Sequence, residues 1–111
     1  MLSVRRPAAQ GRTDSNQSQV IGWYEELYCS VVDLHEMGSG VPDLLVGFSG
    51  VSDLVEVKTE EGHLEASQNR FIRDWRGRKV VVVRTHGDVI RHVQNVRERV
   101  SRNAVHAGSN E

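Results

Sequence analysis

GVPDLLVGFSGVSDLVEVK, from Gly40 to Lys58, is the stretch on which the fold turns. It opens on a Pro-Asp step, and two apolar runs, Asp43–Phe48 and Leu54–Thr59, flank a short link that begins with Ser49-Gly50. Runs of this length separated by turn residues predict an antiparallel hairpin. Side chains alternate along a strand, so Leu54, Glu56 and Lys58 share one face while Val55 and Val57 share the other. Glu56 and Lys58 then stand about 7 Å apart at their Cα atoms. The hairpin returns Asp43 towards them. Two carboxylates and an ammonium group gathered at one sheet end are costly unless something compensates the charge, and a divalent cation does so. An isolated Glu-x-Lys is ordinarily a weak surface pair; the Pro-Asp at hairpin spacing is what points to a site.

Outward from the hairpin, the elements follow a simple order. Upstream, Asp14 or Ser15 can cap a helix whose apolar stripe is Val20, Ile21, Tyr24, Leu27 and Tyr28. Cys29 to Leu34 has a strand pattern, broken by Gly38, Ser39 and Gly40. Downstream comes a second helix with Leu64, Phe71, Ile72 and Trp75 on one face, then Lys79–Arg84 as a strand buried on both faces. A last helix from about Asp88 carries Val89, Ile90, Val93, Val96 and Val100. The order α-β-β-β-α-β-α predicts an α/β fold, a small mixed sheet flanked by helices. Residues 14–102 form one domain in this scheme, with tails at 1–13 and 103–111.

Composition narrows the function classes. A chain of 111 residues with 38% apolar and 26% charged residues has the make-up of one globular domain. Its single cysteine, Cys29, makes no intrachain disulfide and no Cys-rich zinc site. The longest purely apolar run is Val80–Val83, so no membrane span is expected and a cytoplasmic location is. Net charge is −1, yet residues 25–65 hold ten acids against Lys58 alone, and residues 70–102 hold ten bases against three acids. An acidic centre beside an arginine-rich flank suits a cation held next to a polyanion, although two solvated faces that neutralise each other give the same pattern. Carboxylates suit Mg²⁺ or Mn²⁺, which leave waters free to act as nucleophile, and Lys58 beside them suits phosphodiester hydrolysis.

At this point the chain resembles a family. Gly40-Val41-Pro42-Asp43 followed by Glu56-Val57-Lys58 resembles the PD-(D/E)xK nuclease signature, and Asp14 to about Ile90 resembles its virus-type replication-repair nuclease branch (VRR-NUC) in the small stand-alone phage form. Asp14-x-Asn16-Gln17, Asp33-Leu34-His35, Gln68, Trp75-Arg76-Gly77 and the valine strand share in the resemblance. It implies a restriction-endonuclease-like fold in which Asp43 and Glu56 bind the metal with help from the Val57 carbonyl, Lys58 is catalytic and Gln68 supports the site. It further implies a homodimer acting on branched DNA, four-way (Holliday) junctions among them. Where the family commonly has a glutamate on the first helix, this chain has Gln17, with Glu25 as the other candidate for that role.

Independently of the family, Gln17 and Gln68 each lie on an apolar helix stripe, where an amide needs a hydrogen-bond partner that a polar site supplies. Arg70, Arg73, Arg76 and Arg78 are the expected contacts to the DNA backbone. The five histidines show no paired ligand spacing and are expected at the surface or in loops, His35 excepted because it precedes the glycine loop. Trp23 and Trp75 are expected in the core or at an interface. Two other classes stay open: a non-catalytic nucleic-acid-binding module whose metal site has decayed through Gln17, and a structural or assembly protein with an accidental carboxylate cluster.

Overall fold

The computed structural model describes residues 3–4 and 15–109, with side chains placed for 16–104. Five strands form one mixed sheet in the order β1-β2-β3-β4-β5: β1 (Ser3–Val4), β2 (Ser30–Asp33), β3 (Leu44–Phe48), β4 (Val51–Val57) and β5 (Val81–Val83). Helices α1 (Ser15–Glu26), α2 (Ala66–Asp74) and α3 (His86–Ser109) complete the fold, with a short 3-10 turn at His35–Met37. From Ser15 onward the order is the expected α-β-β-β-α-β-α. Two residues of the expected N-terminal tail, Ser3 and Val4, instead pair in parallel with Val31 and Val32, and Asp14 lies outside the described residues. At the other end α3 runs on to Ser109, past the expected end at Arg102, because Asn103-Ala104 brings no Gly or Pro to stop it.

The hairpin is tighter than its sequence suggests. Ser49 and Gly50 both have positive φ (53° and 75°), the pair of left-handed residues that a two-residue type I′ turn requires. Pairing therefore starts at Phe48↔Val51, and β4 begins three residues before Leu54. β4 and β5 run parallel, with Val55, Val57 opposite Val81, Val83, which is why α2 must cross between them. β5 is an outer strand among the described residues, contrary to the expectation of burial on both faces: Val81 and Val82 stay half-exposed.

One face of the sheet carries the core. Val31, Leu44, Val46, Phe48, Val55 and Val83 pack beneath Val20, Ile21 and Tyr24 of α1 and Val89, Val93 and Val96 of α3. Each such side chain contributes about 1.5–3 kcal/mol relative to exposure. Tyr28, expected on the α1 stripe, is 80% exposed. The helix ends at Glu26, two residues before that stripe does: Tyr28 turns left-handed (φ 63°), its N–H meets the Glu25 carbonyl, and the Cys29 N–H meets the Tyr24 carbonyl at 3.1 Å. This is a Schellman cap. It reverses the chain into β2 and buries Cys29. Helix α2 has no buried residue; Phe71 and Ile72 are half-buried and Trp75 is exposed.

Candidate active site

The acidic site forms where β4 ends. Glu56 is 2% exposed, and its side chain shares a hydrogen bond with the Asp43 carboxyl. Asp43 precedes β3, and its Oδ2 accepts the Val57 N–H at 2.9 Å, which locks it to the last residue of β4. Lys58 Nζ stands 3.9 Å from Glu56 Oε2 and is 17% exposed. Burial first, and then the neighbouring Asp43 carboxylate, push the Glu56 carboxyl up to about 8, with Lys58 opposing them.

Helix α2 delivers a fourth polar group. Gln68 Nε2 donates to Glu56 Oε2 at 2.9 Å. The amide is oriented by a capping box: Gln68 Oε1 accepts the Glu65 N–H at 2.8 Å, so the nitrogen end has to face Glu56. Gly40 sets the distance between the Asp43 loop and α2. Its φ is +79°, and a Cβ there would lie 2.3 Å from the Ser67 carbonyl oxygen, so no larger residue fits without moving the helix or the loop.

Helix α1 borders the site with two amides. Asn16 donates to the Lys58 carbonyl at 2.9 Å, and buried Gln17 donates to Asp33 Oδ1 at 3.0 Å. Asp33 also accepts from the His35 N–H and meets its ring Nδ1 at 2.8 Å. Leu34 N–H, between them, bonds the Asp43 carbonyl. Gln17, Asp33 and His35 thus brace the start of β3. Glu25 lies eight residues along α1, about 12 Å by the helical rise, beside the cap rather than the site.

The arginines divide. Arg70 and Arg76 are exposed, and Arg73 is paired with its neighbour Asp74 at 2.8 Å. Arg78 is held by both oxygens of Asp53, at 2.5 and 3.3 Å. Asp53, 1% exposed, accepts from His92 Nε2 at 2.7 Å, and the same ring takes the Tyr24 hydroxyl at its Nδ1, 2.8 Å away. The carboxylate only accepts, so Nε2 carries a proton, and in the neutral ring Nδ1 then accepts from the Tyr24 hydroxyl. His92 corrects the expectation of a surface histidine. Its position was readable, since 89, 92, 93 and 96 form one helical stripe. Asp53 was readable too: alternation puts it on the face of Val55 and Val57.

An α/β sheet with an acid pair and a lysine at the end of a hairpin strand defines a restriction-endonuclease-like domain. Among the described residues no helix is long and apolar enough to cross a membrane. The chain belongs to the VRR-NUC family, whose domain model matches residues 12–88. That membership carries a nuclease-type function. A comparison with curated proteins gives no match.

Proposed function

We propose that the chain is a metal-dependent DNA endonuclease that hydrolyses phosphodiester bonds. The observation that carries this reading is the contact between Asp43 and buried Glu56 beside Lys58, two acids placed where mutual repulsion and burial oppose their joint ionisation. The donor set fits Mg²⁺ or Mn²⁺. Mg²⁺ commonly takes one or two protein carboxylates and completes its shell with water and substrate phosphate. Asp43, Glu56 and the Val57 carbonyl would hold it, and it would supply charge neutralisation and a water of lowered pKa.

The chain's own residues do the rest. Gln68 fixes the rotamer of Glu56, and Asn16 fixes the main chain at Lys58. Lys58 faces the position of the scissile phosphate and stabilises the negative charge that grows there as water attacks. Gln17 acts as a positioning residue through Asp33, in place of a helix-borne carboxylate. Arg70 and Arg76, both exposed, contact the DNA backbone.

Resemblance to the stand-alone phage members supports a homodimer that cuts branched DNA, including four-way junctions. Cutting two strands symmetrically needs two active sites related by a twofold axis, and the half-open apolar face of α2 supports such pairing. The test is cleavage of labelled linear, flap and four-way substrates with Mg²⁺ or Mn²⁺ by wild type, Asp43→Ala and Lys58→Ala. Metal-dependent products from wild type that fall at least a hundredfold in both variants are expected. Equal products from all three would refute the assignment, and sedimentation in solution checks the dimer.

A further inference from the structure

A second pocket opens at the same end of the sheet. Because β4 and β5 are parallel, the segments that leave them run side by side: the Lys58 N–H bonds the Val83 carbonyl at 3.0 Å. Beyond that contact Thr59 and Glu60 follow β4, and Arg84, Thr85 and His86 follow β5. Together with Asn16, Gln19 and Trp23 of α1 they enclose about 490 Å³. Crevices at the carboxyl ends of strands in open α/β sheets are where ligands commonly sit.

The lining chemistry selects the ligand. Trp23 and His86 are stacked face to face, 4.7 Å apart at 16°, and His86 is exposed, so its outer face is free to extend the stack. The Gln19 amide is exposed at the mouth and makes no hydrogen bond among the described residues. Arg84 is occupied structurally: one nitrogen donates to the Thr59 and Gly62 carbonyls at 2.7 and 2.6 Å, which holds the 59–62 loop in place. Glu60 and Glu61 stand at the rim and repel a phosphate. A planar, uncharged group with hydrogen-bonding edges suits such a lining.

We propose that this pocket takes an unpaired nucleobase of the DNA, next to the scissile phosphate. The base stacks on His86, which is backed by Trp23, and offers its edge to Gln19. This rests on the nuclease reading above and deepens it: a base can enter only where it is not paired, so the pocket favours DNA with an unpaired nucleotide at the cut and gives branched or interrupted duplexes a physical basis for selection. Base stacking is sequence-tolerant, so no strong base preference accompanies it.

The test is equilibrium binding, in EDTA so that nothing is cut, of two labelled duplexes that differ only in one unpaired nucleotide, base-bearing or abasic. Stacking on an aromatic side chain predicts about tenfold tighter binding of the base-bearing duplex by wild type. His86→Ala should bring that ratio close to one without weakening the abasic complex, and Gln19→Ala should lower it less. Both residues are exposed and outside the catalytic group, and thermal melting confirms that the variants fold. A ratio near one in wild type overturns the proposal, as does a ratio unchanged in both variants, or a preference for fully paired duplex. Cleavage assayed in parallel separates the two readings: cutting without the ratio leaves the nuclease and removes the pocket, and the ratio without cutting does the reverse.

Discussion

Gly40→Ala tests whether one close approach sets the geometry of the acidic site. The new Cβ would sit 2.3 Å from the Ser67 carbonyl oxygen, where 3.0 Å is the practical floor, so loop and helix must separate by at least about 0.7 Å. The obstacle is backbone and cannot rotate away. If α2 takes the displacement, the Gln68–Glu56 hydrogen bond stretches from 2.9 Å to about 3.6 Å and ceases to be one. If the loop takes it, Asp43 moves relative to Glu56. A φ of +79° adds about 1–2 kcal/mol for any L side chain. Gly38→Ala separates the two effects: φ is +67° there, but nothing lies within 4 Å of the added Cβ. Both variants should melt earlier because both glycines have positive φ, and only Gly40→Ala adds a backbone clash. Only Gly40→Ala should lose kcat/KM, by about a hundredfold, as expected for an ångström-scale misplacement of catalytic groups. Cleavage by Gly40→Ala within about threefold of wild type, or an equal loss in Gly38→Ala, would refute the positioning role of this contact.

Three further outcomes are expected. Gln68→Leu removes the donor to Glu56 together with its half of the α2 capping box, and should lower metal affinity or cleavage rate about 10–100-fold, measured by metal titration and kcat/KM. Arg78→Ala strips the main partner from buried Asp53 and should cost about 1–3 kcal/mol by urea unfolding, less than for a fully buried pair because the guanidinium is 42% exposed. Burial raises the Asp53 carboxyl, but its bonds to Arg78 and His92 outweigh this and hold it below its usual range; its stabilisation is present above the unfolded carboxylate value and is lost as pH falls through the lower folded one, a loss that Arg78→Ala should move to higher pH. Glu56 has the opposite sign: burial and Asp43 raise it to about 8, so metal-free stability should decline as pH rises from the unfolded value through about 8, and Mn²⁺ should raise Tm more at pH 8.5 than at pH 6.

How much of this was legible follows from which forces are local. Alternation in the hairpin gave the shared face of Glu56 and Lys58, because a strand's period is fixed by its pleat. The helix stripe placed Gln17 inside and the half-buried Gln68 towards the acids, because an amide drawn away from water has to find a partner. What sequence could not supply was tertiary. The Schellman cap at Tyr28 needs a non-glycine residue at positive φ, which local preference argues against. The outer position of β5 depends on which strands pair, and a valine run reads alike at the edge and in the centre of a sheet. Asp53, His92 and Tyr24 lie 29 to 68 residues apart along the chain, so their network becomes visible only when α1, β4 and α3 pack together.

That network also bears on the site. Asp53 and Glu56 sit three residues apart on β4, pointing to opposite faces, and both are buried carboxylates. Asp53 is fully matched by Arg78 and His92, whereas Glu56 has an acid, an amide and one lysine at 3.9 Å. One strand therefore carries both solutions to a buried charge. The matched acid anchors α3 and the segment before β5 against the sheet, and stabilises the structure without chemistry. The unmatched one is held in place by that rigidity, and burial and Asp43 hold its ionised form at a disadvantage that Lys58 only partly offsets, so an external cation that binds there displaces its proton and stabilises the ionised form. Loosening the first should weaken the second: Arg78→Ala ought to lower metal affinity at Glu56 only as far as it loosens β4, and restoring rigidity with an added stabilising substitution elsewhere ought to recover it.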